Sequence, residues 1–155
     1  MSVLRLSILL SMASVLGCGE SVPRKELAYK IPAEWETIQA TNSFSFRAPP
    51  DLKETDVKGI DSLVGEFVSP TLTLLFDHGA YSDPLDGEGF DGFWTTIDGR
   101  RARIARNEEL IGVHFPDVNG GPKQPMTTKL TMIAKLNGAP PEIGETIFQT
   151  IEFGK

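Results

Sequence analysis

The chain of 155 residues has a single cysteine and only two histidines. One cysteine excludes an internal disulfide, a CxxC redox pair and a cysteine-rich zinc cluster. Positive charge is also scarce, because 15 Lys and Arg stand against 21 Asp and Glu, giving a formal net charge of -6. Since phosphate binding normally needs a basic surface, this charge argues against nucleic acid as a partner. The composition fits an acidic domain with one isolated thiol.

That thiol lies at the end of an apolar run near the N terminus. Arg5 precedes the eleven uncharged residues Leu6 to Leu16. At 1.5 Å rise per residue they cover about half of a ~30 Å hydrocarbon core, which is typical of a secretory signal rather than a permanent span. The run ends in Val15-Leu16-Gly17-Cys18. This motif resembles the lipobox of bacterial lipoproteins, although Leu16 is bulkier than the usual Ala or Ser.

The resemblance implies cleavage after Gly17 and attachment of a diacylglyceryl group to the Cys18 thiol, with the new amino group free for acylation. Two or three acyl chains anchor a protein stably, because each buried CH₂ contributes about 0.8 kcal/mol. Gly19 stands where enteric bacteria place the Asp that marks inner-membrane retention, which favours the outer membrane. The alternatives are a plain signal peptide with an incidental cysteine, or a buried apolar segment.

Three segments are expected along the chain. Residues 1–17 form the signal peptide, residues 18–33 the lipidated cysteine and a tether, and residues 34–155 a single α+β domain. Removing residues 1–17 leaves 138 residues and takes away Arg5, so the formal charge changes from -6 to -7. Residues 19–33 mix Pro, Lys and Glu without periodicity, which favours the tether.

Apolar alternation with a period of two dominates the domain and predicts strands. Asp98-Gly99 predicts a two-residue hairpin turn, because both positions accept positive φ. One helix is predicted from Pro140-Pro141 and the spacing of Ile143, Ile147 and Ile151. The fold class is therefore α+β, a mostly antiparallel sheet of about six to eight strands with a C-terminal helix packed on it. The candidate strands are Trp35–Gln39, Ser43–Ala48, Ser62–Val68, Thr71–Phe76, Phe93–Ile97, Arg101–Arg106, Leu110–Phe115, Leu130–Leu136 and Ile151–Phe153.

Two stretches carry a second resemblance. Trp35-x-x-Ile38 followed by Ser43-Phe44-Ser45-Phe46-Arg47-Ala48-Pro49 resembles the opening hairpin of PsbP-like domains. The ending Ile143-x-x-x-Ile147-x-x-x-Ile151-x-Phe153 is similar to their closing helix and strand. Such domains include a lumenal photosystem II subunit and nuclear import factors that bind a small GTPase. The resemblance implies a binding or assembly module, and it assigns no functional residue.

Charge is unevenly distributed along the domain. No Lys or Arg occurs between Gly59 and Gly99, although eight acidic residues do. Four arginines follow at once and are the candidates for binding an anion or a partner: Arg100, Arg101, Arg103 and Arg106. On a strand, Arg101 and Arg103 share one face and could hold a carboxylate or a lipid headgroup. The alternative is a solvated face paired with the acidic span.

The acidic, glycine-containing loop from Asp83 to Asp91 offers hard oxygen ligands of the kind that Ca²⁺ prefers. The candidate ligands are Asp83, Asp86, Glu88 and Asp91. Their spacing does not follow the EF-hand pattern, and a single GGxGxD-like copy cannot build a site that successive repeats share. The alternative is an acidic loop that binds no ion.

His78 follows Asp77, and a carboxylate can orient an imidazole for base chemistry. No G-x-S-x-G, HExxH or phosphate-binding loop accompanies the pair. The leading hypothesis is therefore a non-catalytic, cofactor-free bacterial lipoprotein, anchored through Cys18, that binds a protein partner in the envelope. One alternative is an envelope hydrolase using His78 with nearby carboxylates. Another is a small-ligand carrier with a cavity lined by Phe44, Phe46 or Trp94.

Overall fold

The computed structural model describes residues 25–119 and 128–154. These residues form ten strands and one helix. In chain order they are β1 (Glu36–Gln39), β2 (Phe44–Ala48), β3 (Lys53–Thr55), β4 (Leu63–Val68), β5 (Leu72–Gly79), β6 (Asp91–Ile97), β7 (Arg100–Arg106), β8 (Leu110–Phe115), β9 (Lys129–Leu136), α1 (Pro141–Phe148) and β10 (Glu152–Phe153). The predicted signal peptide, Cys18 and residues 18–24 of the tether lie outside the described residues.

Seven strands form one antiparallel sheet in the order β3-β4-β5-β9-β8-β7-β6. Directly opposed residues in such a sheet point to the same face. Phe76, Met132 and Val113 are opposed in turn across β5, β9 and β8, and all three are buried. They mark the inner face of the sheet, which carries the alternating apolar positions seen in the sequence.

The inner face is covered by a small sheet and by the helix. The small sheet has the order β1-β2-β10, and its Phe44 and Phe46 rings meet Phe76 and Phe67 edge-on at centroid distances of 5.2 and 5.5 Å. Helix α1 packs against β2, β8 and β9. A Cβ at Gly144 would overlap Ile111 of β8, so the glycine allows this close approach.

The sequence prediction of a mostly antiparallel sheet with a C-terminal helix on it is confirmed. All nine candidate strands are present, and the Asp98-Gly99 turn has the expected positive φ values of 47° and 72°. Two features were not predicted: strand β3, and the separate three-stranded sheet. The seven strands of the main sheet lie within the expected six to eight, and the small sheet adds three more.

The segment before β1 is bound to the domain from Lys25 onward, within residues that the sequence assigns to the tether. The Lys25 amide donates to the Trp94 carbonyl at 3.1 Å, which places the segment along the β6 edge. The Tyr29 hydroxyl donates to the carboxylate of Glu145 on α1, and Lys25 Nζ lies 3.7 Å from the same carboxylate. The hydrogen bond to Glu145 is the main reason that the pKa of Tyr29 rises to about 12.

Candidate functional site

The outer face of the main sheet, opposite α1, is crossed by the β5–β6 connection. This crossing loop, residues 80–90, must pass over β9, β8 and β7, because β5 and β6 run in the same direction on either side of them. Its contacts follow that path. The Asp83 carbonyl binds Thr131 of β9, Leu85 lies against Gly112 of β8, and the Leu85 carbonyl binds Arg103 of β7.

A hydrogen-bonded chain fastens the start of the crossing loop to the sheet. The Thr131 hydroxyl donates to the Asp83 carbonyl at 2.6 Å, and His114 Nδ1 lies 2.8 Å from the same hydroxyl oxygen. A hydroxyl has one hydrogen to donate, so His114 Nδ1 must be the donor to Thr131. Burial, helped by the positive charge of Lys129, lowers the pKa of His114. The imidazole is therefore neutral at pH 7, with its proton on Nδ1.

Leu85 fixes the middle of the crossing loop. Its side chain is 1% exposed, and its φ of 55° lies in the left-handed region that side chains rarely adopt. A Cβ at Gly112 would come within 2.5 Å of Leu85 Cδ1, so the missing side chain on β8 makes room for it. The Leu85 carbonyl accepts a hydrogen bond from Arg103 Nε at 3.2 Å. The strained backbone is thus held by packing on one side and a charged donor on the other.

Beside the crossing loop, over β4, β5 and β9, lies a groove of about 350 Å³. We call it the sheet groove, and its lining includes Val57, Val64, Leu75, Asp77, Thr131 and Ile133. Asp77 is directly opposed to Val64 on one side and to Thr131 on the other. Asp77 Oδ1 is buried and has no hydrogen-bond partner among the described residues. An apolar groove with one unsatisfied carboxylate oxygen has the composition of a ligand site.

Three exposed apolar side chains lie near the place where β4 begins and β5 ends. Ile60 is fully exposed, Tyr81 is 81% exposed and Leu63 is 53% exposed. Leu63 begins β4, and a Cβ at Gly79, which ends β5, would lie 2.7 Å from Ser62 Cβ. Ile60 and Tyr81 each lie two residues from that contact. The three form what we call the apolar tip.

Two of the four candidate arginines, Arg101 and Arg103, share the outer face of β7. The Arg101 guanidinium stacks on the Trp94 ring at 3.7 Å from the centroid. Arg103, opposed to Trp94, binds the Leu85 carbonyl of the crossing loop. Both guanidinium groups therefore have partners within the chain.

The other two candidates, Arg100 and Arg106, lie at the alternate positions of β7 and therefore point to the inner face of the sheet. Arg100 donates to the Val118 carbonyl at 2.7 Å, forms an ion pair with Asp98 at 3.0 Å and lies over the Phe153 ring at 4.2 Å. Its contacts hold the β6–β7 turn against β10. The four arginines are thus divided between two faces, and the structure does not bring them together as one anion site.

The candidate calcium ligands do not converge either. Asp83 Oδ1 accepts the Leu85 amide at 2.7 Å and so shapes the crossing loop. Asp86, Glu88 and Asp91 are exposed. Within the described chain, no three His, Cys, Asp or Glu side chains are grouped so as to hold a metal ion.

Asp77 and His78 point to opposite faces of β5 and do not form the pair that base chemistry requires. Asp77 faces the sheet groove, whereas His78 lines a separate pocket of about 380 Å³ with Ser43, Arg100 and Asn119. His78 Nε2 is buried and has no hydrogen-bond partner among the described residues. Burial lowers the pKa of His78, so the ring is neutral at pH 7.

The residues named for the carrier alternative do not line the sheet groove. Phe44 and Phe46 are fully buried in the core, and Trp94 is covered by Arg101. The apolar groove lies instead at Leu75 and Ile133, which the sequence analysis did not single out. Both residues break the period-two alternation of their strands by placing an apolar side chain on the polar face. This break in the alternation is the sequence feature from which the groove could have been predicted.

Among residues 25–119 and 128–154, no helix combines the length and apolarity needed to cross a bilayer. Comparison of the chain with protein-family models, with curated proteins and with solved structures found no match.

Proposed function

We propose that this chain is a lipid-anchored bacterial envelope protein whose domain binds a protein partner without catalysing a reaction. The anchor is the lipidated Cys18, in the outer membrane, and the contact with the partner is made by the apolar tip. The lipobox motif supports the anchor. The resemblance of the hairpin and C-terminal helix to PsbP-like domains supports a binding or assembly role.

The exposure of the apolar tip is the observation that carries the binding proposal. Exposed apolar side chains are common singly, but a contiguous group on a surface marks an interaction site. Ile60, Leu63 and Tyr81 are exposed on chain segments that meet at Ser62 and Gly79. A partner that fits this surface presents an apolar patch of its own.

The described N-terminal segment joins the domain at the edge of the main sheet away from the tip. Lys25 is held at the β6 edge, whereas β4 and β5 lie four to five strand positions away, about 20–24 Å across the sheet. Lys25 and the tip therefore lie near opposite edges of the main sheet.

Photocrosslinking in intact cells tests this proposal. A photoreactive residue replaces Tyr81, and the matched control replaces Glu108, an exposed position in the β7–β8 turn at the other end of the sheet. We expect one defined adduct from position 81, none from position 108, and loss of the adduct when Ile60→Ser and Leu63→Ser are added. Equal adducts from both positions would contradict the assignment of the tip.

The anchor is tested separately by cell fractionation. Wild-type chain is expected in the membrane fraction, and the Cys18→Ser variant in the soluble fraction. Ser11→Ala, within the apolar run, is the control and should leave the distribution unchanged. A Cys18→Ser variant that stays with the membrane would refute the anchoring claim.

A further inference from the structure

The sheet groove combines apolar side chains with a carboxylate oxygen that has no hydrogen-bond donor among the described residues. Leu75 of β5 and Ile133 of β9 are directly opposed, and Val64 of β4 is directly opposed to Asp77 of β5. Opposed positions on neighbouring strands are about 5 Å apart, so these side chains form one continuous patch. Each is partly exposed, although it lies in the middle of a seven-stranded sheet.

Asp77 lines the groove, and its Oδ1 atom is buried without a hydrogen-bond donor among the described residues. A buried carboxylate oxygen without a hydrogen bond is costly, and such groups in folded proteins are normally paired. The neighbour Thr131 cannot supply the donor, because its only hydroxyl hydrogen is directed to the Asp83 carbonyl. The Ser82 hydroxyl is likewise directed to a backbone carbonyl, that of Asp77 itself.

The described charged residues that line the groove are both acidic. They are Asp77 and Asp83, and no basic residue lines the groove within residues 25–119 and 128–154. Lys129 lies opposite Gly79, two positions along β5 from Asp77, and forms no ion pair with Asp77 in the described part of the chain. A ligand that complements the groove therefore brings its own cation together with an apolar body.

We propose that the sheet groove binds a small amphipathic amine, with its ammonium group on Asp77 and its hydrocarbon part against Val64, Leu75 and Ile133. The volume of about 350 Å³ lies within the range of small-ligand pockets, about 300–1,000 Å³. This site needs neither lipidation at Cys18 nor the apolar tip, so its failure would leave the proposed function standing.

The test is an NMR titration of the full chain with hexylamine, hexanol and hexanoate, which share an alkyl chain and differ in charge. Hexylamine should give saturable shifts at the amides of Val64, Leu75 and Ile133, with a Kd of about 1 mM for so small a ligand. A charge-assisted hydrogen bond discriminates by at least about tenfold, so hexanol should bind correspondingly more weakly and hexanoate not at all.

Two variants locate the interaction. Asp77→Asn keeps the shape of the side chain, removes its charge and should weaken hexylamine at least about tenfold. Asp51→Asn, an exposed carboxylate in the β2–β3 turn, is the matched control and should leave binding unchanged. Ile133→Thr shortens the apolar wall without touching the carboxylate and should weaken binding severalfold, which provides a second test if Asp77→Asn does not fold.

Several results would overturn the proposal. These are hexanoate binding as well as hexylamine, unchanged affinity in Asp77→Asn, shifts centred outside the groove, or no saturable shift up to roughly 50 mM hexylamine, well above the expected Kd. Binding of a lysine-containing peptide without binding of hexylamine would assign the groove to a protein partner and would also overturn it.

Discussion

Replacing Leu85 tests the interpretation that the crossing loop is fixed to the sheet by one strained residue. The side chain is 1% exposed and lies over Gly112, so truncation removes nearly all of its buried contacts. Leu→Ala at buried sites costs about 2–5 kcal/mol of unfolding free energy. We expect about 2 kcal/mol here, because a loop can close around the gap more easily than a core can.

Leu85→Gly separates packing from backbone strain. Glycine also loses the side chain, but it adopts the φ of 55° without the penalty of about 1–2 kcal/mol that a Cβ incurs. The greater conformational freedom of glycine in the unfolded chain lowers stability by about 0.5–1 kcal/mol and so offsets part of that gain. Leu85→Gly should therefore be about 0.5–1 kcal/mol more stable than Leu85→Ala, the reverse of the usual order.

Urea unfolding of the purified chain, followed by tryptophan fluorescence, gives both free energies. Hydrogen exchange of residues 80–90 should become faster in both variants. If both substitutions cost less than about 0.5 kcal/mol, Leu85 does not fix the loop. If Leu85→Gly is the less stable of the two, the positive φ is not a source of strain.

Three further substitutions and conditions have defined outcomes. Tyr29→Phe removes the hydroxyl donor to buried Glu145 and should cost about 1–3 kcal/mol by urea unfolding; an unchanged midpoint would show that the N-terminal segment does not depend on this contact. Burial lowers the pKa of His114 below 6.5, so on acidification the imidazole is protonated in the unfolded chain before it is protonated in the folded one. The stability that comes from the neutral, buried His114 is therefore complete above about pH 6.5 and is lost as the pH falls through the folded pKa. His114→Gln should reduce that fall in Tm between pH 7 and pH 5, and an identical pH profile would contradict the assignment. Gly65→Ala places a Cβ on the buried Phe76 ring and should cost about 1–3 kcal/mol, whereas a neutral effect would mean that the ring moves freely.

The strands and the helix start were predictable because their signals are local. Alternation marks nine of the ten strands, and the exception, Lys53-Glu54-Thr55 in β3, contains no apolar residue to alternate. The helix ends at Phe148 rather than continuing to Ile151, whose amide closes a turn on the Phe148 carbonyl. Helical spacing alone does not distinguish these two endings.

The site could not be predicted in the same way, because its contacts join distant parts of the chain. Thr131 and Asp83 are 48 residues apart, and Tyr29 and Glu145 are 116 apart. Sequence adjacency was misleading for Asp77 and His78, since neighbours on a strand point to opposite faces. The only sequence feature that indicated the groove was the pair Leu75 and Ile133, apolar residues at positions where alternation predicts polar ones.

The central claim is that Cys18 carries the anchor of a binding domain. The intact mass of the chain extracted from membranes tests this most directly. We predict a chain that begins at Cys18, without residues 1–17, and that carries the added mass of a diacylglyceryl group with or without a third acyl chain. A chain with a free Cys18 thiol, or one cleaved at another position and bearing no lipid, would contradict the account.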